Sequence, residues 1–413
     1  MSVPERLGQP LSLPCGQTVK NRLLKSAMSE GLGALDFHPD ARLPRLYARW
    51  AGGGTGVLVT GNVMIDRRAL GEPGNVVLEE GARLEPFATW AEAASREGTK
   101  VWMQLNHPGK QAVPLFNRES VAPSAVGFAG ALKKAFPVPR AMEAEEIREC
   151  IQRFATAAML AERAGFHGAQ IHGAHGYLVS QFLSPLHNQR EDEWGGPLED
   201  RMRFALEIHR AIREKTGGDF AVTIKLNSAD FQRGGFSEEE ALEVVERLGA
   251  DGIDLIEISG GTYEAPAMTG PPRSSPKAST VAREAYFLDF ARKARDATRA
   301  PLALTGGFRT ASVMEEALAT GAIDLVGLAR PLAVDPEASR KLLAGEIPAP
   351  VPETVTTGMR SVDTLLMLTL TYYEAQLARM AAGKEPKADL SPWRVATGLL
   401  ARNGLTALRR RRA

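Results

Sequence analysis

Between residues 172 and 177 the chain reads His172-Gly-Ala-His175-Gly-Tyr177, two imidazoles and a phenol in one short stretch. In an enclosed site such groups can hydrogen-bond a developing oxyanion and supply a proton. Two histidines three apart can also bind zinc, with His107 or His187 as a third ligand, but no HExxH or carboxylate-bearing variant accompanies them. Lys225 interrupts the apolar run Ile224-Lys225-Leu226. Burying an ammonium is costly, so a salt bridge, an anion or an electron-rich ring must lie beside it. Gln104-Leu-Asn106-His107-Pro108 gathers amide and imidazole groups able to read the edge of a heterocycle. Thr305-Gly306-Gly307-Phe308-Arg309 and Gly327-Leu328-Ala329-Arg330-Pro331 each combine glycine N–H groups with an arginine, a pairing suited to a phosphate.

These clusters need elements to hold them. Short apolar, strand-like runs fall at 22–28, 57–63, 100–105, 168–172, 220–226, 254–259, 301–306 and 324–328. Helix-like stretches at 83–97, 144–164, 199–215, 238–249, 284–297 and 311–320 lie between them, several opened by acidic residues. Eight strands alternating with helices predict an α/β chain, a (β/α)8 TIM barrel with an N-terminal β-hairpin. A doubly wound sheet alternates in the same way, but no GxGxxG follows the first strand and no GxxxxGK[ST] occurs. In the barrel every cluster above sits at a C-terminal strand exit, where barrel enzymes keep their reactive groups. The long insertion after the third strand, Pro108 to Arg140, is rich in Pro, Gly and Ala with Phe116, Phe128 and Phe136 interspersed, and suits either a lid or a plain surface loop. Together the exits describe a phosphate-bearing cofactor anchored at strands seven and eight, its ring spread over strands one to five. Flavin mononucleotide fits, with Lys225 placed to stabilise negative charge at the reduced ring and Gln104 to meet its pyrimidine edge.

Composition narrows the class. Fifty Lys and Arg against 49 Asp and Glu leave a net charge of +1, so nothing argues for nucleic acid. Cys15 and Cys150 form no CxxC pair, which excludes a Cys-rich zinc site or a four-Cys iron–sulfur cluster and fits a reducing cytoplasm. The N-terminus lacks a signal-peptide pattern and no window of 18 residues is continuously apolar, so neither secretion nor a transmembrane segment is expected. The pattern changes near residue 350, predicting a barrel at 1–350 and a C-terminal helical extension at 351–413. Its helical runs, about 360–382 and 392–410, carry Trp393, Val395, Leu399, Leu400, Leu405 and Leu408 before Arg409 to Arg412. Docking on the barrel or a partner subunit is favoured over an anionic membrane, and the added helices point to a homo-oligomer.

From about residue 8 to 340 the chain resembles the Old Yellow Enzyme family, FMN-dependent ene-reductases and NADH:flavin oxidoreductases. The resemblance is carried by His172-Gly-Ala-His175-Gly-Tyr177 with Gln181, Asn188, Arg190 and Asp192-Glu-Trp-Gly-Gly, by Lys20-Asn21-Arg22, by Gln104-Leu-Asn-His-Pro-Gly, by Val121-Ala-Pro-Ser and by Gly327-Leu-Ala-Arg330-Pro. It implies FMN as a tightly bound cofactor and NADH or NADPH as reductant, with a small-molecule enone or quinone-like substrate. His172 and His175 match the pair that anchors the substrate oxygen, and Tyr177 the proton donor. Ala27, Met28, Ser29, Asn62, Gln104, Lys225, Gly307, Ala329 and Arg330 match the flavin contacts, with no metal among the site residues. Three positions depart from the family: Ser29 stands where Thr or Cys is frequent, Lys225 replaces the commoner Arg, and Asn62 replaces Ala or Gly. They bear on redox potential and substrate range. Thr60-Gly61-Asn62-Val63-Met64 with Asp66-Arg-Arg is similar to NADH oxidase-like members, which keeps electron transfer to oxygen or quinones open. A zinc-dependent barrel hydrolase using His172 and His175, and a non-catalytic flavin-binding or membrane-associated module acting through residues 391–413, are the alternatives of other classes.

Overall fold

The computed structural model describes residues 4–259, 288–352 and 354–399. Eight parallel strands close on themselves: β1 (Leu23–Lys25), β2 (Val57–Val59), β3 (Lys100–Asn106), β4 (Gly168–Gly173), β5 (Ala221–Asn227), β6 (Leu255–Ser259), β7 (Leu302–Thr305) and β8 (Leu325–Leu328). The ring is shut where Leu328 of β8 lies opposite Lys25 of β1. All eight predicted strands are present, and the chain is a (β/α)8 barrel.

Side chains alternate between two faces along each strand. On the inner face Leu24, Val57, Val59, Trp102, Ala221, Leu255, Ala303 and Leu325 form an apolar floor. The expected N-terminal hairpin, Leu11–Ser12 paired with Thr18–Val19, adds Leu13 and Val19 to this floor. Gln17 at its turn donates to the carbonyls of His167 and Asp219, both at 2.5 Å, tying the plug to the bottom of the barrel. Lys20, Asn21 and Arg22 serve the same end: Lys20 donates to Glu97 O at 2.9 Å, Asn21 to Gly54 O at 2.8 Å and Arg22 to Asp324 O at 3.1 Å. With floor and plug filled by hydrocarbon, only the opposite end can hold a ligand.

Outer-face residues such as Leu23, Leu58, Ile171, Ile224, Ile256 and Val326 pack under a helical jacket. Glu238–Ala250 is started by a capping box in which Ser237 Oγ accepts from the Glu240 N–H at 3.2 Å and the Glu240 carboxylate accepts from Ser237 at 3.1 Å. The helix Leu43–Gly52, for which no helix-like stretch was expected, carries Tyr47 and Trp50 inward. Of the helix expected at 284–297, residues 288–297 are helical and the rest lie outside the described residues.

Among the described residues the insertion of residues 108–140 keeps only short structure, 3-10 turns at Gly109–Gln111 and Gly130–Lys134 and a parallel pair of Val121–Ala122 with Arg140–Ala141. It is pinned where Phe128 packs against Phe136 with centroids 4.9 Å apart and the buried Lys110 ammonium sits 4.3 Å from the Phe128 ring. Past residue 350 come helices Arg360–Leu365 and Leu368–Ala381, parted at Met367, whose φ is 45°. The second docks on the barrel through Leu368, Tyr372, Leu377 and Met380, and Arg49 pairs with Glu385 at 2.8 Å. Residues 392–399 add Val395 and Ala396 to the same core and leave Trp393 exposed, while Leu400 to Arg412 lie outside the described residues. Among the described residues no helix is long and apolar enough to cross a membrane.

Candidate active site

One step above the floor the inner face turns polar. Gln104, Gln170, Lys225, Glu257 and Thr305 occupy it, and the register sets Lys225 between His172 on β4 and Glu257 on β6. Glu257 Oε1 accepts from the Lys225 ammonium at 3.0 Å, Ser26 at 2.5 Å and Thr305 at 2.7 Å. Burial pushes the Glu257 carboxyl up, but the Lys225 charge and these hydrogen bonds outweigh it and hold the group below the ordinary value. Lys225 also donates to Ser26 Oγ at 2.7 Å, so two of its three N–H bonds are committed and one is left over among the described residues. The salt bridge foreseen beside Lys225 is therefore real and does not exhaust the ammonium.

The carboxylate also orients two amides. Glu257 Oε2 can only accept, so Gln170 turns its NH2 toward it at 2.8 Å. The Gln170 carbonyl must then accept from Gln104 Nε2, again at 2.8 Å. Gln104 keeps its own carbonyl oxygen and one N–H, the donor–acceptor pattern of a cyclic imide edge. Gly327 makes this possible, since a Cβ there would lie 1.7 Å from Thr305 Oγ1.

At the top of β4, His172, His175 and Tyr177 converge: ring centroids lie 5.3 Å apart for the two histidines and 4.7 Å for His172 and Tyr177. The turn that gathers them needs left-handed backbone at His175 (φ 60°) and Gly176 (φ 76°). His175 N–H donates to Asn227 Oδ1 at 3.2 Å, which holds that conformation from β5. His172 Nδ1 accepts from the Ala174 N–H at 3.4 Å, so its proton resides on Nε2. His175 Nε2 pairs with Ser259 Oγ at 3.0 Å. Burial, and then the charge of Lys225, pushes His175 down to about 3. Burial, His175 and Lys225 push His172 well below the ordinary imidazole range. Both are neutral hydrogen-bonding groups at physiological pH. Gln181, Asn188 and Arg190 support the turn: Gln181 donates to Gly176 O at 2.7 Å, Asn188 to Trp194 O at 2.7 Å and Arg190 to Met142 O at 2.6 Å.

Ala27, Met28 and Ser29 leave β1 half-buried, with the Ser29 hydroxyl donating to Glu72. Asn62, after β2, lines a crevice with Glu30, Glu72 and Asn75. The two loops are joined by Glu30, whose carboxylate oxygens each accept from the Gly61 N–H at 3.1 Å. Glu30 also bonds the Tyr47 hydroxyl and pairs with Lys25 at 3.4 Å, whose ammonium lies 4.7 Å from the Trp50 ring. Across the mouth, β7 ends in Gly306 (φ 141°) and Gly307 (φ 78°), and Ala329 precedes a turn of helix at Arg330–Val334. Arg309 and Arg330 stand exposed here, and neither has a carboxylate partner among the described residues.

Two unpaired cations beside a glycine turn suit a phosphate; an ammonium and an imide-matched amide within the ring suit a flavin. FMN therefore fits these residues. Three His, Cys, Asp or Glu side chains able to hold a metal converge nowhere among the described residues; His107 Nδ1 accepts from Gly109 N–H at 3.1 Å, and His187 Nδ1 faces Lys110 Nζ at 3.2 Å.

Comparison with known proteins agrees. A sequence model of the NADH:flavin oxidoreductase / NADH oxidase family matches residues 6–346. The NADH-dependent flavin oxidoreductase iliE of Hypocrea jecorina (strain QM6a) is 41% identical over 349 residues, covering 79% of this chain and 86% of that protein. Among solved structures, a 2-naphthoyl-CoA reductase superimposes with a TM-score of 0.76 at 28% identity, over 83% of this chain and 52% of its own. The Old Yellow Enzyme homologue of Zymomonas mobilis shares the fold with a TM-score of 0.71 at 24% identity, over 86% and 95%. The chain belongs to the NADH:flavin oxidoreductase / NADH oxidase family, that of the Old Yellow Enzymes, and is an oxidoreductase that uses FMN with NAD(P)H.

Proposed function

We infer that the enzyme reduces the C=C bond of α,β-unsaturated carbonyl compounds, with Tyr177 as proton donor and His172 and His175 holding the carbonyl oxygen. The observation that carries this reading is the meeting of two neutral imidazoles and a phenol above Lys225. FMN, when bound, supplies hydride to the β-carbon. Lys225, with its remaining N–H, and Gln104, with its imide-matched edge, would hold the ring, and Ala27, Met28, Ser29 and Asn62 would line it. Gly307, Ala329 and Arg330 would hold its phosphate. His172 Nε2–H donates to the substrate carbonyl, with His175 beside it, and draws electron density away from the β-carbon. Both imidazoles being neutral, neither surrenders a proton to the product, which leaves that task to the Tyr177 hydroxyl at the α-carbon.

Anaerobic stopped-flow spectroscopy tests the reading. Tyr177→Phe should leave reduction of the flavin by NAD(P)H nearly intact and slow reoxidation by cyclohexenone about 10²–10⁴-fold, the usual worth of a positioned acid. Equal loss of both half-reactions would remove the proton-donor role. Reoxidation of the parent enzyme by oxygen or a quinone, but not by cyclohexenone, would favour the oxidase reading, which the oxidase half of the family's description supports. The unpaired Cys15 and Cys150 are consistent with a cytoplasmic enzyme, and light scattering after size exclusion would test the homo-oligomer.

A further inference from the structure

Asn106 closes β3 and is 1% exposed, and both atoms of its amide, Oδ1 and Nδ2, are buried without a hydrogen-bond partner among the described residues. An unpaired buried polar atom costs about 1–3 kcal/mol, a cost that a leucine of similar shape would not carry. Strand geometry fixes where the amide points. Side chains alternate, so Trp102 in the floor, Gln104 in the polar layer and Asn106 share the inner face, with Asn106 about 6.6 Å nearer the mouth than Gln104. Gln104 lies opposite Gln170 and Leu105 opposite Ile171, which brings His172 level with Asn106 on the neighbouring strand, about 4.8 Å away. On its other side Asn106 lies opposite Met64, a member of an apolar cluster with Leu70 and Val77. The backbone is held there, because the Asn106 carbonyl accepts from Ile65 N–H at 3.2 Å. An amide thus stands between an imidazole that faces the mouth and a thioether, and neither engages it.

We propose that Asn106 is a specificity-determining residue that recognises an amide group, a C=O and an N–H side by side, on the molecule held at His172. The proposal rests on the reading that His172 Nε2–H holds a ligand carbonyl. An asparagine side chain presents one acceptor and one donor edge, and its complement is the same pair reversed. With a carbonyl oxygen at His172, an N–H on the adjoining atom has Asn106 Oδ1 as its acceptor, and Nδ2 is left to donate to the carbonyl's second lone pair. A plain ketone satisfies only half of this amide. Two molecules of the reaction can bring the full group: NAD(P)H through the carboxamide of its nicotinamide, and an unsaturated substrate whose activating carbonyl belongs to an amide or imide. Asn227, the amide on the other flank of the histidines, differs in that its Oδ1 is already taken by the His175 N–H.

The test uses two pairs of probes, the members of each differing at the amide N–H. NADH is compared with its reduced 3-acetylpyridine analogue, in which a methyl replaces the amide NH2, and maleimide with N-methylmaleimide. Anaerobic stopped-flow on the holoenzyme reads flavin reduction by the first pair and reoxidation by the second. Asn106→Leu should cut the parent's preference for the N–H member about tenfold, the net scale of one hydrogen bond. A cut in the NADH arm identifies the nicotinamide as the source of the amide, and a cut in the maleimide arm the substrate. Asn106→Ala, which no neighbour obstructs, should show the same cut. Since the amide has no protein partner, the urea midpoint of Asn106→Leu holoenzyme should hold or rise. Preferences unchanged in both arms overturn the proposal. So does an equal slowing of maleimide, N-methylmaleimide, cyclohexenone and both dinucleotides with a lower urea midpoint, which would mark the residue as structural. If the parent reduces neither maleimide nor cyclohexenone, the ene-reductase reading fails separately and the NADH arm alone decides on Asn106.

Discussion

The Lys225 ammonium and the Glu257 carboxylate meet at 3.0 Å inside the barrel, with 3% and 0% of their side chains exposed. A pair so enclosed cannot lose one member cheaply. Glu257→Gln should destabilise the fold by about 3–5 kcal/mol, the usual result of stranding a buried charge, as read from urea unfolding. The double variant Lys225→Met/Glu257→Gln should recover part of that loss. If the two losses simply add, the charges do not interact.

Removing the cation also bears on the flavin. In the single variant Lys225→Met the positive charge beside the ring site is gone while the Glu257 carboxylate remains, and the midpoint potential should fall by about 30–60 mV, where 30 mV is 1.4 kcal/mol for two electrons. Spectroelectrochemistry reads it directly. A potential equal to that of the parent would show that Lys225 does not face the ring.

Histidines kept neutral make the fold sensitive to acid. His175 is pushed down to about 3 and His107 to about 4, in each case first by burial, from an ordinary value of 6.5. The unfolded chain takes up protons that the folded chain refuses, so stability is full above pH 6.5 and declines as pH drops from there toward the folded values. Each imidazole still neutral at pH 5 should cost on the order of 2 kcal/mol relative to pH 7. Glu257, held low, adds its own loss only below its ordinary value of 4.5. Urea midpoints at pH 7, 6 and 5 check this, and a flat profile contradicts it.

Gly61 marks the clamp between the loops after β1 and β2. A Cβ there would lie 2.1 Å from Glu30 Oε2 and 2.4 Å from Met28 O. Gly61→Ala should therefore cost about 1–3 kcal/mol and speed the loss of FMN on dilution. A variant as stable and as flavin-retentive as its parent would mean that the loops are set elsewhere.

The strands were legible because buried parallel strands are written as short β-branched runs, and the exits followed once the barrel was drawn. The pairing of those exits was not. Lys225 stood out as a charge in an apolar run, but its partner Glu257, in the equally apolar Leu255-Ile256-Glu257-Ile258, did not, because only strand register joins them. Lys25 is buried as completely as Lys225 and went unmarked. It faces outward, beneath Tyr47 and Trp50 of a helix for which the sequence showed no clear signal. Ser259 was missed for a related reason: its contact with His175 spans 84 residues and depends on a backbone conformation that no spacing rule encodes.

Glu257, Gln170 and Gln104 form a chain whose polarity is dictated by its charged end. The Gln104 amide on β3 thus owes its orientation to a carboxylate on β6, two side chains away. In evolutionary terms the three positions form one heritable unit. A lineage that replaces Glu257 with a neutral residue frees both amides to rotate, and selection for the same ring edge must then act on Gln104 and Gln170. Substitutions at 104, 170 and 257 should therefore appear together across relatives, although the three residues lie far apart in the chain.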